Sequence, residues 1–190
     1  MSAPGAGRTL LLTVRSGASA ATFHPMFQTD RLFIRRWRDT DLAALIEVYG
    51  DADAMRWVGD GKPLAAADCA RWLSVTKSNY ARRGYGMYAI DELVSSDVIG
   101  FCGIVHPGDQ IEPEIKYALR RTSWGRGFAT EAVRGLLAYG REALGLTRFI
   151  ASIAPENTSS RRVLIKAGMK PTAVRPDENG EETHYFEWVA

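Results

Sequence analysis

Residues 114–132 read EIKYALRRTSWGRGFATEA: an alternating, strand-like run passes through Gly125 and Gly127 directly into helix-forming residues. Backbone N–H groups in the first turn of a helix lack partners inside it, and the helix dipole places about half a positive charge there. A glycine-rich entry to a helix is therefore an anion site, with phosphate as the first ligand to test. The familiar phosphate motifs do not fit. A Walker loop needs Gly-Lys-Ser/Thr, which is absent here, and a dinucleotide fingerprint needs a third glycine where this chain has Thr130. A tight strand-to-helix turn would also explain Gly127, so the neighbouring segments must decide.

Downstream, Ala129, Ala132, Val133, Leu136 and Leu137 recur at helical spacing, and Gly145 is placed to cap that helix. RFIASI follows as a strand, then NTSSRRVLIKAG as a helix capped by Asn157, then two strands around the hairpin signal Asn179-Gly180. Upstream, GMYAIDEL, DVIGFCGIV and EIKYALRR predict three consecutive antiparallel strands. Before them, RLFIRRW predicts a strand, Asp39 to Tyr49 a helix, and Leu64 to Arg83 a second helix stopped by Gly84 and Gly86. The fold class is α/β in the α+β sense: a mixed, mostly antiparallel sheet of about six or seven strands with helices on both faces.

With 190 residues, 46% hydrophobic and 24% charged, the chain is sized for one domain. A net charge of +2 gives no reason to expect nucleic acid as a partner, and no apolar run is long enough to span a bilayer. Cys69 and Cys102 are too few for a disulfide framework and read as structural thiols in a reducing compartment, the cytoplasm. His24, His106 and His184 stand singly, so no metal site is expected. Residues 1–25 are acid-free and rich in Ala, Ser and Gly, and read as a disordered extension ahead of a single domain at 26–190.

Four stretches together resemble the GNAT superfamily of acetyl-CoA-dependent N-acetyltransferases, and within it the RimJ/RimL branch that acetylates ribosomal-protein N-termini. They are TDRLFIRRWRDTD, DADAMRWVGDGKPL, EIKYALRRTSWGRGFATEA and ENTSSRRVLIKAGM, and the resemblance covers residues 28–189. It implies acetyl-CoA as cosubstrate, its pyrophosphate held by the amides of Gly125, Arg126, Gly127, Phe128, Ala129 and Thr130. The Arg126 side chain would then pair with a phosphate or remain a solvated charge. The resemblance further implies a sheet splayed between its fourth and fifth strands, with the pantetheine arm bonding to Tyr117, Ala118 and Leu119. The Leu119 amide would face the thioester carbonyl.

Acetyl transfer requires a neutral amine. A peptide α-amine with a pKa of about 7.7–8.0 is roughly one-tenth neutral at pH 7, a lysine only about once in 2,500 molecules, so a modest base suffices for an N-terminus. Glu114, at the glutamate of the branch's Glu-Ile-Gly-Tyr-like motif, is the candidate base; Glu112 competes with it, as does a water. Ser160 is the candidate to meet the leaving sulfur, because Leu164 stands where many superfamily members carry a tyrosine. Asn157 would touch the pantetheine arm or simply cap its helix. Thr122 departs from the Gln or Arg common in the wider superfamily. The acids of PDENGEE and the indole of Trp57 are candidates for the acceptor opening.

The expected activity is direct acetyl transfer to a primary amine, foremost a protein N-terminus, by a monomer or homodimer. The alternatives are a small amine such as an aminoglycoside or polyamine, or a CoA-binding regulatory module without chemistry.

Overall fold

The computed structural model describes residues 25–59, 61–176 and 180–190. The expected N-terminal extension, apart from its last residue, and the hairpin-tip residues Asp177, Glu178 and Asn179 lie outside that range.

Strand β1 (Phe27–Gln28) pairs with β2 (Leu32–Arg35), whose Leu32 and Ile34 are fully buried. Arg35 is buried as well, and a charge so placed needs partners. Its guanidinium reaches Asp41 and Asp91, each at 2.6 Å, and the same Asp41 carboxylate accepts the Arg38 N–H at 2.7 Å. That second bond shapes the entry to the first helix. The expected helix from Asp39 begins as a single 3-10 turn, Asp39–Asp41, before α1 (Leu42–Tyr49).

The connection beyond α1 holds a one-turn helix that periodicity could not reveal, α2 (Ala52–Met55). Asp51 caps it by accepting N–H bonds from Asp53 and Ala54. Next, α3 (Ala66–Arg83) ends at Gly84, as expected. The meander is β3 (Met87–Glu92), β4 (Val98–Val105) and β5 (Glu114–Leu119), each antiparallel to the last. Helix α4 (Phe128–Leu144), β6 (Arg148–Ile153), α5 (Thr158–Lys166), β7 (Lys170–Pro176) and β8 (Glu182–Val189) complete the chain.

All eight strands form one sheet in the order β1-β2-β3-β4-β5-β6-β8-β7. Its extra strand over the expected number is the two-residue β1. The edge strand β7 carries Pro171 and Pro176, which cannot donate to a further strand.

Two apolar layers sandwich the sheet. On one face α4 and α5 bury Leu136, Leu137 and Leu164 against Ile104, Ile115 and Phe149. On the other, Leu45 and Val48 of α1 and Leu73 of α3 pack on Ala89, Phe101 and Ala118. Tyr49 stacks on Phe101 with ring centroids 4.8 Å apart. Gly140 lets α4 lie close to β6, since a Cβ there would stand 2.4 Å from the Phe149 ring.

Candidate active site

The site starts with a fork in the sheet. Strands β4 and β5 pair along six consecutive positions, and the ladder continues in the Arg120 N–H bond to the Ile99 carbonyl at 2.9 Å. In an antiparallel ladder alternate residues turn both their polar groups toward the same neighbour. Arg120, Ala118 and Lys116 therefore face β4, while the N–H groups of Leu119 and Tyr117 face the opposite side. On that side β6 runs parallel to β5 but pairs with it at one position, Glu114 with Ile150, supported by the Ile150 N–H bond to Pro113 at 2.9 Å. Beyond it the strands part. The splay expected between the fourth and fifth strands of the sequence lies here, between β5 and β6. It leaves the Tyr117 and Leu119 amides facing a gap.

At the open end of the gap the chain turns into α4. Gly127 is the N-cap residue at φ 83°, a left-handed conformation that favours glycine, and Gly125 has φ 73° with open space where a Cβ would stand. The first donor within the helix is Glu131, bonded to Gly127 O at 3.1 Å. Phe128, Ala129 and Thr130 precede it, so their N–H groups have no partner from the helix and point to its mouth.

This loop is fastened from behind. Glu131 would be raised by burial, but bonds from Thr29 Oγ1 at 2.6 Å, Arg31 N at 2.9 Å and the Arg31 guanidinium at 2.7 Å hold its carboxyl below the ordinary range. Arg31 also donates to the Arg126 carbonyl at 3.0 Å and lies over the Phe128 ring. Arg126 takes a different place from the one expected of a phosphate ligand. Its guanidinium pairs with Glu92 at 2.5 Å and stacks on Phe128, because Glu92 is a buried carboxylate in need of a counter-charge.

A cleft of about 560 Å³ connects the fork to the loop. Of the expected site residues, Tyr117, Ala118, Leu119, Gly125, Gly127, Phe128, Ala129, Thr130, Asn157 and Ser160 lie on its wall, as does Trp57; Arg126, Glu114 and Thr122 do not. Asn157 caps α5 by accepting the Ser160 N–H at 3.0 Å. The Tyr117 hydroxyl donates to the Ser160 carbonyl at 3.4 Å, and burial pushes its phenol up to about 12. The Trp124 indole N–H donates to the Leu119 carbonyl at 2.7 Å, bracing the strand beside the gap.

Glu114 sits at the closed end of the fork with 3% of its surface exposed. It is ion-paired with Lys116, and it accepts from Ser152 Oγ at 2.5 Å and from Gln110 Nε2 at 3.3 Å. Lys116 Nζ in turn donates to Ser152 Oγ at 3.1 Å. Glu112 precedes β5, separated from Glu114 by Pro113, and pairs with Arg148 at 3.6 Å.

Sequence reasoning passed over Arg31, Lys116, Ser152 and Trp124. The two-residue strand period did mark Lys116 as the neighbour of Glu114 on one face. Arg31 and Ser152 arrive from distant segments with no local signal.

A forked sheet whose freed amides lead to an unpartnered helix mouth offers backbone donors to an extended arm and to an anion at its end. The acetyltransferase (GNAT) domain family matches residues 31–170. The chain belongs to that family, and it is an acyltransferase that draws its acetyl group from acetyl-CoA. It is 31% identical over 144 residues to the uncharacterized protein YkkB of Bacillus subtilis, spanning 74% of this chain and 83% of that one. It is likewise 31% identical over 138 residues to the uncharacterized N-acetyltransferase p20 of Bacillus licheniformis, spanning 72% and 77%.

Similar solved folds include an acetyltransferase from Agrobacterium tumefaciens, with TM-score 0.76 and 23% identity over 92% of this chain and all of that one. RimJ from Mycobacterium smegmatis in complex with CoA-disulfide has TM-score 0.70 and 24% identity over 84% and 82%. The Vibrio cholerae spermidine N-acetyltransferase in complex with CoA and spermine has TM-score 0.71 and 15% identity over 85% and 96%.

Proposed function

We propose that this protein acetylates the α-amine of a protein N-terminus, with acetyl-CoA seated along the fork and its pyrophosphate on the backbone amides of residues 125–130. The observation that carries this reading is the parting of β5 and β6 after a single pair, which turns the Tyr117 and Leu119 amides into the gap. The residues present fit the cosubstrate: glycines at 125 and 127 leave the loop backbone bare, and the amides of Phe128, Ala129 and Thr130 open the helix. When bound, acetyl-CoA supplies an acetyl group already activated as a thioester.

The chain's own residues then hold and orient. The Tyr117 and Leu119 N–H groups receive the arm as an added strand would, and the Leu119 amide is assigned to the thioester carbonyl, where a fixed donor stabilises developing negative charge. Asn157 and Ser160 form the facing wall, with Ser160 assigned to the sulfur. Glu114 removes the proton of the acceptor amine, directly or through water. Its place outside the cleft wall favours the water. Cys69 and Cys102 are both buried, consistent with transfer without a covalent enzyme intermediate and with a cytoplasmic setting.

An N-terminal α-amine suits this modest machinery because it is already about one-tenth neutral at pH 7. RimL, a ribosomal L7/L12 alpha-N-protein acetyltransferase, has the same fold, so the fold accommodates an acceptor of this kind. A small cationic amine is the second reading, favoured by the Asp53 and Glu156 carboxylates and the Trp57 ring on the cleft wall. Thiol release from acetyl-CoA, measured across peptides with free N-termini, the same peptides blocked, and spermidine, tests the assignment. Turnover confined to free peptide N-termini is expected. Turnover with spermidine alone supports the second reading, and cofactor binding without turnover on any amine marks a regulatory module.

A further inference from the structure

Breaking a thioester leaves a negative charge on sulfur, and a donor aimed at that atom stabilises it. Leu164, where a helix phenol was looked for, is a fully buried aliphatic side chain. A phenol reaches the same turn of α5 from the opposite wall. Tyr117 stands on β5 with its amide in the fork, and its hydroxyl meets the Ser160 carbonyl one turn before Leu164. Both residues line the cleft. At 3.4 Å the bond is long for an O–H donor, whose usual range is about 2.5–3.0 Å, so this proton is weakly held and free to turn to a stronger acceptor.

We propose that the Tyr117 hydroxyl is a second hydrogen-bond donor to the departing sulfur of acetyl-CoA, beside the Ser160 hydroxyl, turning to it from the Ser160 carbonyl. This assignment rests on the cofactor seat proposed above. The step balances with the reagents already named. The amine nitrogen bonds to the acetyl carbon, the C–S electron pair leaves on sulfur, and the proton shed by nitrogen goes to Glu114 or water. Tyr117 keeps its own proton. Burial pushes its phenol up to about 12, above the roughly 8.5 of an ordinary thiol, so full transfer to the thiolate is uphill. A charge-assisted hydrogen bond carries no such penalty. Tyr117 therefore stabilises the leaving group without acting as an acid, and the released thiolate takes its proton from solvent.

The test follows the thiol of bound CoA, titrated by thiolate ultraviolet absorbance in native protein and in Tyr117→Phe, which keeps the ring and its packing. A donor to the anion favours the thiolate. The bound thiol is expected to titrate at least about one unit higher in Tyr117→Phe, a tenfold loss of thiolate stabilisation. Difluorotyrosine at position 117, a more acidic phenol and a stronger donor, moves the titration the other way. Calorimetry above the thiol pKa gives a second readout, in which native protein prefers CoA to desulfo-CoA and Tyr117→Phe loses at least about tenfold of that preference. Identical titrations and preferences in native and variant proteins overturn the Tyr117 assignment alone. Failure of native protein to bind CoA overturns the cofactor seat together with it.

Discussion

Glu114 and Lys116, two residues apart on β5, are ion-paired at the closed end of the fork, and Ser152 of β6 bonds to both. The pair stands at the one position where β5 and β6 still hold together. It thus pins the fork and gives the candidate base a fixed counter-charge.

Replacing Lys116 with Met removes that counter-charge from a carboxylate that is 3% exposed. A buried carboxylate left without its counter-charge is costly, so the variant should lose stability and turn over more slowly. Because Lys116 itself is 38% exposed, the stability loss is limited to about 1–2 kcal/mol. Glu114→Gln is expected to lower the rate more near neutral pH than at high pH, where the amine is already neutral. An unchanged rate in Lys116→Met, with an equal loss at every pH in Glu114→Gln, contradicts the base assignment.

Arg31 ties Glu131 to the Arg126 carbonyl, so Arg31→Ala should loosen the loop and weaken acetyl-CoA binding about tenfold, read by calorimetry. The carboxyl of Glu131 is held below its ordinary range in the folded protein. Its contribution to stability is therefore present above the unfolded pKa, about 4.3, and is lost as pH falls through the lower folded value. The stability deficit of Glu131→Gln should be full at neutral pH and shrink in acid. A deficit that stays constant down to the acid transition would show that the Arg31 latch contributes nothing.

Gly127→Trp places a bulky side chain at φ 83° on the loop, with Arg31 Nη2 3.5 Å from the new Cβ. Backbone strain of about 1–2 kcal/mol lowers the melting temperature modestly while the fold survives. Cofactor affinity should fall far more than stability does. Unchanged calorimetric affinity rejects the loop as the pyrophosphate seat.

Gly140→Ala brings a methyl to 2.4 Å from Phe149, where neither α4 nor β6 has room to move. Overpacking of this kind costs about 1–3 kcal/mol. Thermal melting should register it with little change in the Michaelis constant for acetyl-CoA, since the contact lies behind the cleft.

Much of this architecture is legible in the chain because its signals are local. Glycines at 84, 127 and 145 punctuate helices, the alternation of GMYAIDEL and DVIGFCGIV marks the meander, and Asn157 announces α5. The fork was anticipated through family resemblance, not from residue pattern, because nothing in EIKYAL says where its pairing with RFIASI stops. Long-range polar partners were illegible for the same reason. Arg31 meets Glu131 across 100 residues and Ser152 meets Glu114 across 38. The turn of the Arg126 side chain toward Glu92 follows from a buried carboxylate whose burial only the folded sheet reveals. Even α2, a single turn held by Asp51, is too short to show a period.

A crystal structure with acetyl-CoA tests the account most directly. The arm is expected between β5 and β6, bonded to the Tyr117 and Leu119 amides, with its pyrophosphate on the amides of residues 125–130. Density for the molecule at another surface, or strands β5 and β6 bonded to each other past Glu114 and Ile150, would contradict it.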